Sequence, residues 1–121
     1  MNKNRVNQWL LPAKEALVKT EIAIKGKIAN AYKGQIASFG AAVIMGNLPA
    51  AVAFFTEQGG SSVERQKLIQ AMYYCISGEL KAPEEILEYV CENNNSDICD
   101  KFTDASIALK LAMNFFNLDK G

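Results

Sequence analysis

The chain has 121 residues, half of them hydrophobic, with 13 basic and 13 acidic side chains and no histidine. That composition is too apolar for a disordered chain and matches one domain with a single core. Balanced charge gives no bulk argument for a polyanion partner, and the missing histidine removes His-dependent nucleophile arrangements and most zinc sites.

The charge is divided along the chain. Residues 1–50 carry seven basic and two acidic groups, and residues 51–121 carry six and eleven, so the halves stand at +5 and −5. Such a split suits one polyanion-facing side or head-to-tail stacking of copies, and it also fits two solvated faces of differing sign. Cys75, Cys91 and Cys99 form no C-x-x-C pair. Trp9-Leu10-Leu11 is too short for a secretory apolar segment, so the cysteines read as reduced thiols in a cytoplasm.

Val6, Leu10, Ala13, Leu17, Ile24 and Ile28 recur at helical spacing, so the first element reads as an amphipathic helix. Pro12 should kink it or mark its true first turn, and Gly26 is a weak point where a second helix, Lys27 to Met45, could begin. From Gly34 to Thr56 no residue is charged, a length that could span a bilayer. Gly46-Asn47-Leu48-Pro49 breaks that run, and Asn47 and Pro49 would leave backbone groups unpaired at membrane depth. Two buried helices joined at a corner explain each breaker better. Gly46 or Asn47 would take the left-handed conformation, Asn47 would cap the next helix, and Pro49 would sit in its first turn.

Ser61-Ser62-Val63-Glu64, after Gly59-Gly60, reads as a capping box opening a helix with Ile69, Met72, Tyr73 and Ile76 inward and an end at Gly78. Ala82-Pro83-Glu84-Glu85 opens an acidic helix running to about Glu92. Asn93 to Asp97 forms a turn and cap. The final helix then carries Ile98, Phe102, Ala105, Leu109, Ala112 and Phe116. No stretch alternates in polarity as a strand would. The expectation is an all-α, single-domain bundle of about six helices over residues 1–121.

Chemistry-bearing clusters are thin. Glu84, Glu85 and Glu88, and likewise Asp97, Asp100 and Asp104, lie where helix starts favour negative charge, so capping explains them. Cys91 and Cys99 lack the spacing of a metal site. No phosphate-binding glycine loop occurs, no cofactor or small-molecule substrate is implied, and the chain reads as a non-enzyme. A basic row of Arg5, Lys14, Lys19, Lys25, Lys27 and Lys33 is the candidate RNA-binding set, able to follow a phosphate backbone by charge. Tyr32 beside Lys33 reads as a base-stacking ring or as a core tyrosine, and Tyr73-Tyr74 has the same two readings.

Tyr32-Lys33, the corner Gly46-Asn47-Leu48, the run Ala51-Val52-Ala53-Phe54, and Asp104-Ala105 followed by Phe115 together form a recognisable pattern. In these positions, length and helix order the chain resembles the small all-helical subunit of the type III-B CRISPR effector, the fifth protein of the Cmr complex. Asn47 stands where that family has its corner glycine, Leu111 where it has a tryptophan, and Met113-Asn114 where it has a basic pair. The last two departures turn the search for RNA contacts toward the N-terminal lysines. The resemblance implies a non-catalytic structural subunit of antiviral defence in the cytoplasm. Its partners would be other Cmr subunits, copies of itself stacked head to tail, and crRNA with target RNA, with cleavage left to the backbone subunits. Two other readings stand beside it. One is a helical adaptor that binds a single protein partner without RNA. The other, weaker, is a helix-turn-helix, whose helix after Pro49 lacks polar residues to read bases.

Overall fold

A computed structural model describes residues 1–57 and 63–119. Six helices succeed one another: α1 (Lys3–Lys19), α2 (Asn30–Met45), α3 (Leu48–Thr56), α4 (Gln66–Ser77), α5 (Pro83–Glu92) and α6 (Ser96–Ala112). The all-α expectation holds, with one addition. Strands β1 (Ala23–Ile24), β2 (Lys27–Ala29) and β3 (Asn117–Asp119) form a small sheet in the order β1-β2-β3.

α6 packs against α1, α2 and α4, while α5 packs against α3 and α4 on the other side of the bundle. α6 buries Ile98, Phe102, Ala105, Leu109 and Ala112, the predicted stripe except for its last member, and Ala108 besides. Phe116 falls outside the helix because the chain tightens into a 3-10 turn at Met113–Phe115 and then enters β3. Asn95 caps α6, its Oδ1 accepting from Ile98 N at 2.9 Å.

α1 opens at Asn2, whose side chain accepts from Arg5 N at 3.1 Å. Pro12 lies inside it, well past the first turn, and deprives the Gln8 carbonyl of its helical donor on a face where Gln8 meets water. The helix stops at Thr20, short of Gly26, and Glu21 turns the chain out with φ of 61°. The chain then forms a hairpin in place of the predicted helix junction. Lys25 (φ 52°) and Gly26 (φ 78°) are both left-handed, as a two-residue type I′ turn requires. Ala23 pairs with Ile28, and Ile24 with Lys27, while β2 pairs in parallel with β3. Ile28 is buried as predicted, whereas Ile24 faces outward, because a strand sends alternate residues to opposite faces.

The corner at 46–49 joins α2 to α3, and Asn47 caps α3 through a 2.8 Å bond from Ala50 N, with Pro49 in the first turn. Neither Gly46 nor Asn47 is left-handed: their φ values are −111° and −174°. Space at 46 is tight, since an added Cβ would stand 3.2 Å from Ala50 Cβ and would need that neighbour to give way by a few tenths of an ångström. Phe39 of α2 and Phe55 of α3 meet edge to face in the core at 5.4 Å. The pair of helices is only half buried, however. Ile44 and Met45, at the outer end of α2, are 85% and 88% exposed. Among the described residues, no helix is long and apolar enough to cross a membrane.

α4 ends at a left-handed Gly78 and α5 begins with Pro83, both as predicted. Ser61 and Ser62 of the predicted capping box lie outside the described residues; Val63 and Glu64 precede α4, which itself starts without a side-chain cap.

One ion pair ties the N-terminal helix to the last one. Arg5 Nη1 donates to Asp104 Oδ2 at 3.2 Å, and Asn2 N donates to Oδ1 at 3.4 Å. The Asp104 side chain is 3% exposed and that of Arg5 24%. Asp104→Ala should therefore lower urea-measured stability by about 2 kcal/mol with an unchanged m-value. The cost falls below the ~3–5 kcal/mol of fully buried pairs because Arg5 keeps water within reach. Burial pushes the Cys75 thiol up to about 12, whereas Cys91 is exposed. A thiolate-selective reagent at pH 8 should label Cys91 rapidly in the folded protein and reach Cys75 only after unfolding.

Candidate nucleic-acid interface

The six predicted cations do not form one row. Successive helix residues turn by ~100°, so on α1 Lys14 projects about 180° from Arg5 and about 140° from Lys19. Each of these three is also occupied. Arg5 holds Asp104 and lies 5.7 Å from the centre of the Trp9 ring. Lys14 Nζ sits over Phe115 at 4.8 Å, and Lys19 Nζ over Tyr74 at 5.6 Å. Cation–ring contacts of this kind hold a side chain without neutralising it, so Lys14 presents its charge at the surface, whereas Lys19 is also paired with Glu15 at 3.6 Å.

Lys25, Lys27 and Lys33 are placed differently. Lys25 is at the tip of the β1–β2 hairpin, Lys27 is in β2, and Lys33 is in the first turn of α2. Among the described residues, their side chains enter no ion pair, hydrogen bond or ring contact. The turn needs a left-handed residue before Gly26, and Lys25 supplies it at some backbone cost.

Lys27 borders an open cleft of about 570 Å³ whose lining includes Glu21, Ile24, Tyr32, Glu64 and Lys67. Tyr32 is 7% exposed, so its ring belongs to the core and has no free face for a base. Tyr73 is buried and Tyr74 half-exposed, as expected of adjacent helical residues. Lys67 was missed by sequence reading. Burial works against its ammonium charge, yet the Glu64 carboxylate at 3.0 Å, with Tyr32 and Glu21 beyond it, holds its pKa above the ordinary lysine value. No local signal joins Lys67 to Lys27; only the packed fold brings them to one cleft.

Beside Lys19, Tyr74 Oη donates to Glu15 Oε1 at 2.7 Å, and Lys19 Nζ stands 3.6 Å from the same oxygen. The Tyr74 bond, aided by Lys19 against a smaller effect of burial, holds the Glu15 carboxyl below its ordinary value; the Glu15 bond raises the Tyr74 phenol. Among the described residues no group of three His, Cys, Asp or Glu side chains could hold a metal ion.

No family model, no curated protein and no solved structure matches this chain.

The Glu15 network gives a direct check of the α1–α4 packing. A carboxyl lowered by folding contributes stability above its unfolded-state pKa and loses it as pH falls through the folded value. In Tyr74→Phe, an NMR titration should show Glu15 protonating at higher pH than in the parent. An unchanged midpoint would mean that the hydrogen bond is not formed in solution.

Proposed function

We propose that the chain is a non-catalytic small subunit of a type III-B CRISPR effector, acting in the cytoplasm beside other Cmr subunits and copies of itself to hold target RNA against the crRNA. The reading rests on the resemblance of the Tyr32-Lys33, Gly46-Asn47-Leu48 and Asp104-Ala105 segments to the fifth Cmr protein. The observation that carries the RNA part is the location of Lys25, Lys27 and Lys33. They succeed one another through the hairpin into α2, and no group among the described residues engages them. Three ammonium groups on contiguous elements suit phosphate contact, which positions a strand without reading its bases. Arg5, engaged by a nearly buried carboxylate, acts in this reading as a structural clamp; Lys14 contributes surface charge, and Lys19 is offset by Glu15.

A second reading, an adaptor for one protein partner without RNA, is favoured by the exposed Ile44 and Met45 at the end of α2. Salt separates the two, because phosphate contact weakens steeply with ionic strength and apolar contact does not.

The test uses the assembled complex carrying Lys25→Asn, Lys27→Gln and Lys33→Gln, with asparagine at 25 because the backbone there is left-handed. Target-RNA retention should fall, and the slope of log affinity against log salt should drop by about 2, at ~0.7 per phosphate contact on a single strand. Unchanged affinity and slope would remove these lysines from RNA contact. A chain that purifies with one partner and no RNA would favour the adaptor.

A further inference from the structure

α2 carries two stripes. Tyr32, Ile36, Phe39 and Val43, at spacings of four, three and four, pack against the core. Ala31, Gly34, Ser38, Ala41 and Met45 recur at three, four, three and four, and every one of them is exposed. At about 100° per residue the two stripes lie on nearly opposite sides of the helix. Such a repeat of uncharged residues is the seam along which one helix lies on another, and the bundle uses only the inner one.

The outer stripe is poorly suited to water. No charged side chain occurs from Gly34 to Thr56. Met45, 88% exposed, and its neighbour Ile44, 85% exposed, are the most exposed large apolar side chains among the described residues. Ser38 already donates to the Gln35 carbonyl at 2.7 Å, so removing water from the face leaves its hydroxyl satisfied. Gly34 has no cause within the chain. It lies in regular helix, where glycine is a weak former, and an added Cβ there would meet nothing within 4 Å. A glycine with open space around it, in the middle of this stripe, is accounted for by close approach from outside.

We infer that a second copy of this chain covers the face, the two α2 helices packing antiparallel about a two-fold axis. The stripe is tapered, small at Ala31 and Gly34 and bulky at Ile44 and Met45. Antiparallel pairing sets the bulky end of each helix on the small end of the other. Met45 of one copy then fills the space over Gly34 of the other, and Ser38 lies beside Ala41. Two-fold symmetry supplies this match twice, whereas a foreign helix would need the reverse taper of its own. Charge permits the contact. Lys33 is the one charged residue of α2. With 34 opposite 45, position 33 lies opposite 46, so the two copies of Lys33 stand about 20 Å apart along the axis, beyond the ~8 Å screening length at physiological salt. The contact is isologous and so differs from head-to-tail stacking. It is independent of the RNA reading, and it gives Ile44 and Met45, which favour the adaptor reading, a partner in the chain itself.

The experiment is sedimentation equilibrium of the full chain without RNA or other subunits. A monomer–dimer equilibrium is expected, with a dissociation constant on the order of 10 µM for a contact this small. Gly34→Leu, which has room within the chain and is a better helix former, should weaken dimerisation at least about tenfold. Its thermal midpoint at low concentration should be no lower than the parent's. Met45→Glu should weaken dimerisation as much, and Leu111→Glu, on α6, should leave it as it was. A chain still monomeric at about 500 µM would overturn the inference and leave the RNA reading standing. Dimers that survive both Gly34→Leu and Met45→Glu would overturn the assignment to α2. A monomeric chain that floats with phosphatidylcholine vesicles would replace the second copy by a lipid surface.

Discussion

Burial of α6 against α1 is the contact on which the rest of this protein depends. It is the most extensive helix pairing in the bundle, and α6 also meets α2 and α4. The residues it buries along its length include Phe102, Leu109 and the alanines at 105, 108 and 112. Small side chains allow the neighbours to approach closely, and α1 buries Ala13 and Ala16 in turn. The Arg5–Asp104 pair sits on this same packing. A carboxylate so thoroughly removed from water is tolerable only when a cation and an amide donor meet it, so the pair fixes how α1 lies on α6.

The same packing decides what the basic half can do. Because α1 must bury Val6, Ala13, Ala16 and Leu17, its cations are distributed around the remaining arc. Neighbours then capture Arg5, Lys14 and Lys19 in turn: a carboxylate from α6, a ring from the turn after α6, and a ring from α4. The hairpin escapes this. Its two short strands have one buried face, and the lysines at its tip and in β2 are left to solvent. Charge available to a partner is thus concentrated in the least helical part of the chain.

The corner between α2 and α3 shows how far an apolar pattern can be trusted. Phe39, Val52 and Phe55 go inward, but Ile44, Met45 and Phe54 remain at the surface. α2 buries Tyr32, Ile36 and Phe39, and at about 100° per residue Ile44 and Met45 lie off that stripe. Apolar area of this kind is costly to leave in water and suits burial in an assembly.

Sequence alone determined the elements whose cause is local. Pro83 with its following glutamates, the caps at Asn47 and Asn95, the stop at Gly78, and the helical spacing from Ile98 to Ala112 each act within a turn or two of chain. The hairpin was also written locally, in the symmetric Ala-Ile-Lys-Gly-Lys-Ile-Ala of residues 23–29, but helical spacing of Ile24 and Ile28 masked it. Only tertiary structure decided the rest. It brought β3 in beside β2 from the far end of the chain, turned Tyr32 inward, set Lys67 beside the hairpin, and engaged Arg5 with an acid 99 residues away. Whether a lysine is free or held depends on which side chain a distant helix presents to it. That is a property of packing, to which spacing along one segment carries no reference.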